Sequence, residues 1–354
     1  MLTSIRPQDY DVFVALDVDK KSYAISFKEY QHTKCYSIKM PAQTDSMIQF
    51  FQKRFPGKRL IYAYEAGPTG YALYDRVTSR NLDCMMVHPG NVEKAPKDRV
   101  KTNRLDSLKI LDQLHGGSLK GIRVPSESYR QLRHLTMLRQ QYVADQRRAK
   151  QRIEALVTFE SVSVPLGDKS RWSSRHIQIL KELELETTRR FRLDSLLEDL
   201  AYARQQLLKV HLQLREFCLQ NESIHKNIQL LRTIPGFGFV IPAYLLGRIG
   251  DPAYLRTVRE IGSFAGVVPS EHSTGDTVKK GPITHMGDAI LRGLLVEGAW
   301  IAIRKDNELR LFYERIRSKN KGERGPRIAI VAIARKLACR AHRVLKDQKP
   351  YVIR

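Results

Sequence analysis

Cysteine is sparse in this chain. Cys35, Cys84, Cys218 and Cys339 lie far apart, with no CxxC pair and no Cys/His ligand spacing. That pattern excludes a zinc module and leaves each thiol as a small buried or half-buried apolar group. Long apolar runs are missing as well, so no membrane span is expected. Near Met1, the charges of Arg6, Asp9 and Asp11 interrupt any signal-peptide core, and a reducing cytoplasm is the expected compartment. Glycine is absent from the first turn, Asp17-Val-Asp-Lys-Lys-Ser22. A doubly wound dinucleotide fold needs a glycine-rich loop there, so that fold is excluded.

Acidic residues are also few against the bases. The 354 residues carry 61 Lys and Arg against 37 Asp and Glu, a formal charge of +24. Such an excess favours a polyanionic partner, most simply DNA or RNA, whose condensed counterions are released on binding. The competing reading is a basic protein with no specific partner. A hydrophobic fraction of 42% is that of a globular chain, and its length suffices for two or three domains.

The order of elements is informative. Val12 to Asp17 is nearly all apolar, as in a sheet-centre strand. Tyr23–Phe27 and Cys35–Met40 follow at hairpin spacing. Ser46–Phe55 has helical apolar spacing, Leu60–Glu65 reads as a fourth strand, Tyr71–Arg80 as a helix and Asp83–His88 as a fifth strand. Lys101–Leu111 then opens a further helix. A three-strand meander followed by crossover units is the ribonuclease H plan, because parallel strands need helical crossovers and antiparallel ones do not.

Beyond it, Ser126 to about Phe159 is charged and helical, with Tyr129, Leu132, Leu135, Leu138 and Tyr142 at three- or four-residue steps. A second long helix runs from about Leu193 to Leu219, and Ser161–Arg175, with Pro165 and Gly167, reads as a loop between them. An antiparallel arm or coiled coil and an ordinary bundle pair fit this pattern equally. Leu231–Val240, with Pro235-Gly236 and Gly238, is similar to a helix-hairpin-helix turn that offers backbone N–H groups to a phosphate. A purely structural tight turn is the alternative. Residues 289–303 and 326–345 are again helical in pattern.

Two constellations bear chemistry. Asp17 and Glu65 end strands, while Asn103 and Asp106, three apart, share one face at a helix start. Acids gathered at one sheet edge repel each other unless a cation joins them. Four such groups suit two divalent cations about 4 Å apart, acting on a phosphodiester, with magnesium the natural choice for oxygen ligands. The competing reading makes Asn103 an N-cap, Asp106 a first-turn acid and Asp17 a turn residue. The second constellation is a polar, glycine-flanked loop holding His272, Ser273 and Thr274, followed by Lys279 and Lys280. A hydroxyl there suits attack on phosphate, though a Ser-Thr-Gly stretch is more often only a turn.

Six strings in order carry a family resemblance: Ala15-Leu-Asp-Val18, Tyr64-Glu-Ala-Gly-Pro-Thr-Gly-Tyr71, Asp98-Arg-Val-Lys-Thr-Asn-Arg-Leu-Asp106, Ile234-Pro-Gly-Phe-Gly238, Gly266-Val-Val-Pro-Ser-Glu-His-Ser-Thr-Gly275 and Ile283-Thr-His-Met-Gly287. Together they resemble the transposases of the IS-one-ten insertion-sequence family, related to the Piv DNA invertases. The resemblance implies a RuvC-like domain over residues 1–125, a helical coiled-coil arm over 126–220 and a mostly helical C-terminal transposase domain over 221–354. It implies an Asp-Glu-Asp-Asp metal quartet in which Asp17, Glu65 and Asp106 match and Asn103 departs from the third aspartate. That departure leaves either a working site with an amide ligand or a weakened copy. It further implies a serine nucleophile, Ser273 or Thr274, with Ser273 the less hindered, and a covalent phosphoserine intermediate. A structured noncoding bridge RNA as guide, DNA as substrate, a tetramer in which one subunit's serine completes another's acidic site, and a nucleoid-associated cytoplasmic location follow from the same resemblance. The alternatives are a Piv-type site-specific invertase, a catalytically weakened nucleic-acid-binding relative and, by fold analogy alone, a Holliday-junction resolvase.

Overall fold

The computed structural model describes residues 3–92, 103–162, 164, 171–274, 277–320 and 322–353, with the side chains of residues 272–280 outside the description. The chain divides into two compact units, one through Val124 and one from Pro125.

The first unit holds a five-stranded mixed sheet. Its elements run β1 (Val12–Val18), β2 (Ser22–Glu29), β3 (Tyr36–Pro41), α1 (Thr44–Arg54), β4 (Leu60–Glu65), α2 (Ala72–Thr78), β5 (Asp83–Val87) and α3 (Asn103–His115). The strand order is β3-β2-β1-β4-β5. β1 pairs antiparallel with β2 and β2 with β3, whereas β1/β4 and β4/β5 are parallel. The nearly unbroken apolar runs of β1 and β4 place both strands at the centre, covered on both faces. Val12, Val14, Leu16, Tyr62 and Tyr64 pack with Met47 and Phe51 of α1 and Leu73 of α2. The alternate residues Phe13, Ala15, Ile61 and Ala63 pack with Ile110, Leu111 and Leu114 of α3. This period of two assigns every residue of the central strands to one face.

The second unit is mainly helical: α4 (Glu127–Phe159), α5 (Ser174–Glu182), α6 (Thr187–Gln220), α7 (Glu222–Arg232), α8 (Val240–Ile249), α9 (Glu260–Ala265), then the hairpin β6 (Pro269–Thr274) and β7 (Thr277–Ile283), and α10 (Ala289–Lys305), α11 (Asn307–Lys319) and α12 (Arg324–Asp347). α4 and α6 lie antiparallel. Ala149, Ile153 and Leu156 of α4 meet Leu193, Leu197 and Leu200 of α6 in one core, and Tyr129 and Leu132 share another with Leu214 and Cys218. That second core continues into α7–α12, where small residues such as Ala329, Ala334 and Ala338 let α12 pack closely.

Four sequence expectations change here. Leu138 of the α4 stripe is exposed: three-residue steps fall about 60° short of a full turn each, so by Leu138 the stripe has wound to the side opposite Tyr129. α6 begins at Thr187, six residues before its first buried leucine. Its extra turn serves the preceding helix, because Arg190 donates to the free carbonyls of Leu180, Lys181 and Leu183 at the end of α5 (3.1, 3.2 and 3.2 Å). The loop expected through Arg175 gives way at Ser174 to α5, whose start is capped by Ser173 accepting from the His176 N–H at 3.3 Å; Pro165 and Gly167 lie outside the described residues. Cys35, expected to be at least half-buried, is exposed just before β3. Among the described residues no helix is long and apolar enough to cross a membrane.

Candidate active site

Asp17 and Glu65 lie next to each other at the C-terminal ends of β1 and β4. The parallel ladder pairs Ala15 with Ala63 and Leu16 with Tyr64. One step on, Asp17 and Glu65 occupy matching positions, and the two-residue period puts both on the face of Ala15 and Ala63, the face that α3 covers. Both strand ends are fixed locally. After Asp17 the chain turns tightly, with the Asp19 N–H donating to the Ser22 carbonyl at 3.1 Å. After Glu65, the Ala66 N–H donates to the Val87 carbonyl at 2.8 Å, and the buried Tyr64 hydroxyl donates to the Gly70 carbonyl at 3.3 Å. Gly70 has φ +68°, which suits glycine. Asp17 and Glu65 are each half-buried.

α3 runs antiparallel to β1 across this face. Its last residue, His115, stacks edge-on against Phe13 at 5.1 Å. Further toward its start, buried Ser107 hydrogen-bonds Ser26 at 2.8 Å, and Ser26 pairs with Ala15. Asn103 lies one turn before Ser107, about 6 Å along the helix. Asp17 lies two residues past Ala15, a similar distance along the strand. The first turn of α3 therefore reaches the level of the strand ends that carry Asp17 and Glu65, beside β2 and β3. Asn103 and Arg104 line a cavity of about 570 Å³ with Ala24 and Ser22 of β2 and Ser37 and Lys39 of β3. Asp106 lies on the opposite flank of the helix to Arg104, half-buried, with Lys109 at 3.9 Å. Among the described residues, however, no group of three or more His, Cys, Asp or Glu side chains stands close enough to hold a metal ion. Asp17 and Glu65 share one sheet face, Asn103 and Asp106 open the helix that covers that face, and the described residues form no closed cage.

Reasoning from sequence missed Lys39 and Arg104. They are cations beside Asn103 in a hydroxyl-lined cavity, and the only sequence signal was that Arg104 follows Asn103. Residues 98–102 of the third motif lie outside the described residues.

Ser273 and Thr274 do not sit in a loop, as expected, but end β6 in the second unit. Ser273 pairs with Val278 and Thr274 with Thr277. The signal for this was present: Gly275-Asp276 between two short runs containing β-branched residues is a hairpin sequence. Gly275 and Asp276 lie outside the described residues, as do the side chains of His272, Ser273, Thr274, Lys279 and Lys280. The other motif residues hold this hairpin in place. Gly266 (φ +66°) and Gly287 (φ +137°) bring the two motif strings side by side, since a Cβ at Gly266 would meet the Met286 carbonyl at 2.7 Å and one at Gly287 would strike the Phe264 carbonyl. Arg292 donates to the Ala265 carbonyl at 2.9 Å. Asp288, almost fully buried, caps α10 through the Leu291 N–H at 2.9 Å and accepts from Tyr244 and Arg248 at 3.1 and 2.5 Å.

In the turn between α7 and α8, Gly236 has φ +87° and abuts the Gly298 backbone of α10, where any Cβ would collide with the Gly298 carbonyl. Its close approach is to the protein's own core. Gly238 has open space around it.

Residues 14–160 match the family described as the IS110-type DEDD transposase, and residues 228–314 match the transposase family IS116/IS110/IS902. The Sinorhizobium fredii protein y4qE, assigned by name to the transposases, is 30% identical over 298 residues, covering 82% of this chain and 72% of that protein. The transposase for insertion sequence element IS1533 of Leptospira borgpetersenii is 21% identical over 354 residues, covering 96% and 97%. The pilin gene-inverting protein of Moraxella bovis is 28% identical over 130 residues, 36% of this chain and 39% of that one. The chain belongs to the IS110 (IS-one-ten) family of DNA transposases and recombinases.

Proposed function

We propose that the protein cuts and rejoins DNA strands to move an insertion element, using a divalent-metal acidic site and a serine nucleophile. On this reading residues 1–125 form a RuvC-like domain, 126–220 a helical arm and 221–354 the transposase domain bearing the serine. The observation that carries it is the matched position of Asp17 and Glu65 on the sheet face that α3 covers. Asp17, Glu65 and Asp106 would hold the metal with carboxylate oxygens and Asn103 with its amide oxygen. This all-oxygen donor set fits a hard cation such as Mg²⁺. When bound, the metal polarises the phosphodiester and stabilises the charge on the leaving oxygen.

The chain's own residues supply the rest. The Ser273 hydroxyl attacks phosphorus, forming a P–O bond to serine. The P–O bond to one sugar breaks, and the departing sugar oxygen takes up a proton. In the second half, a sugar hydroxyl of the partner strand attacks the phosphoserine, and serine leaves reprotonated. The number of phosphodiester bonds is conserved, so no external energy source is needed. Thr274 is the alternative nucleophile, more hindered by its branched β-carbon. DNA and a structured guide RNA are the partners that the family resemblance implies, and a charge of +24 is compatible with both. A tetramer and association with the nucleoid complete the proposal.

A second reading, inversion of a DNA segment by the same chemistry, is favoured by the likeness to pilin gene-inverting proteins. The DNA flanking the gene separates the two. Asn103 keeps alive a third, a weakened nucleic-acid-binding copy.

The test is to trap the covalent intermediate on a nicked substrate with Mg²⁺ and map the modified residue by mass spectrometry. A DNA adduct on Ser273 that vanishes in Ser273→Ala is expected. Metal-dependent cleavage with no protein–DNA adduct in the wild type contradicts the mechanism. Sequencing RNA that co-purifies tests the guide, and light scattering on the purified protein tests the tetramer.

A further inference from the structure

α12 carries two classes of cation. Arg340 is engaged, donating to Asp306 at 2.8 Å and Glu308 at 3.4 Å, and Lys336 reaches Glu308 at 3.5 Å. Arg324, Arg327 and Arg335 make no ion pair or side-chain hydrogen bond among the described residues. All three line a groove of about 710 Å³ between α12 and the base of the β6/β7 hairpin. Among the described residues no carboxylate lines it.

At 100° per residue, Ile328, Val331 and Arg335 fall within about 40° of Arg324 on the helix surface. The stripe thus reads cation, apolar, apolar, cation over about 16 Å, with Arg327 on its flank. Ile328 is 45% exposed. The facing wall, Val267, Pro269, Pro282 and Ile283, is apolar. Three guanidinium groups along one open groove repel each other, and with no internal anion they call for an external one carrying several charges. The apolar floor between them calls for an occupant that also offers a flat apolar face. A duplex turns only its phosphates outward here, whereas an unpaired strand offers both phosphates and exposed bases.

We propose that this groove seats an unpaired stretch of the DNA strand undergoing exchange, with its phosphates on Arg324, Arg327 and Arg335 and a base against Ile328, Val331 and Ile283. The choice of DNA rests on the serine reading given above. The groove lies at the base of the hairpin, at the Pro269–Ile283 pair, and the same strand β6 leads to Ser273. The strand held there is the one delivered toward the nucleophile.

The test measures equilibrium binding of the full chain to a labelled single-stranded oligodeoxynucleotide, the same sequence as RNA, and the DNA duplex, from 50 to 200 mM salt. EDTA is present, so neither metal nor cleavage enters and failure of the catalytic mechanism leaves the result readable. In R324Q/R327Q/R335Q the salt slope for single-stranded DNA should shrink by about 2, at roughly 0.7 per lost phosphate contact, so the mutant loses roughly 18-fold less affinity across that range than the wild type. Ile328→Glu, at an exposed position, should weaken single-stranded DNA binding with the fold unchanged by circular dichroism, and serves if the triple variant fails to fold. An unchanged slope together with unchanged Ile328→Glu binding overturns the proposal. Loss confined to RNA overturns the choice of DNA, and loss confined to duplex overturns the unpaired strand.

Discussion

Ser107 of α3 is hydrogen-bonded at 2.8 Å to Ser26 of β2, a fully buried contact between residues 81 apart in the chain. It fixes the position of α3 on the sheet, and with it the level along β1 at which Asn103 and Asp106 stand. Ser26 also contacts Ser37 at 3.0 Å, so Ser107→Ala leaves Ser26 one partner. The expected cost is about 1 kcal/mol of stability, read by denaturant titration. Because α3 is then less firmly registered, metal-dependent cleavage should fall further than the stability loss alone implies. Full activity at saturating metal would show that the contact has no part in positioning.

Asn103→Asp restores a carboxylate where the family pattern has one. An added charge among oxygen ligands strengthens divalent-cation binding. The metal concentration giving half-maximal cleavage should therefore drop, while the fold stays the same. If the requirement rises or is unaltered, Asn103 does not face the metal and acts as a helix-start residue only.

Gly236→Ala forces a side chain into the Gly298 backbone at a positive φ. It should cost about 2 kcal/mol or more. Gly298→Ala meets the flexible Ile241 Cδ1 at 3.0 Å and the Gly236 carbonyl at 3.2 Å, and should cost less. Thermal unfolding of the two variants gives the order. Equal, negligible losses would return the α7–α8 turn to the role of an exposed phosphate contact.

His342 is fully buried, and neither ring nitrogen has a hydrogen-bond partner among the described residues. Burial pushes its imidazole pKa down, Glu260 opposes this and Lys346 adds to it. Its folded pKa is thus below the unfolded value of about 6.5. The sign follows: above that pH both states are neutral, and as pH falls below it the unfolded chain takes a proton that the folded chain refuses, so stability declines. His176 and His211 are shifted in the same direction by burial, and add to the decline. Unfolding titrations at pH 7.5 and pH 5.5 should show a smaller drop for His342→Leu than for the wild type. An identical drop would mean that this imidazole is not held neutral.

The first unit was legible because its central strands are apolar on both faces and its turns are rich in polar residues. Val12–Asp17 and Leu60–Glu65 reveal themselves by composition, and β4 begins and ends where its sequence does. Legibility failed where a segment's role depends on a distant partner. The opening turn of α6 buries little and exists to cap α5 through Arg190. Leu138 belongs to an evenly spaced series whose angular drift leaves it in solvent. For the candidate site, sequence named the acids but not Lys39, which reaches the Asn103 cavity only because β3 pairs with β2. Ser273 was singled out but misassigned to a loop, since short polar strands resemble turns until their pairing partner is known.

The most direct measurement of the central claim is single-turnover cleavage of element-end DNA by Asp17→Asn and Glu65→Gln across a magnesium titration, with DNA binding followed in parallel. Loss of even an outer partner of a metal ligand lowers activity about 10- to 100-fold, so each change should lower cleavage by more than about 100-fold while the DNA affinity and melting temperature hold. Cleavage at the wild-type rate in both variants would contradict the account.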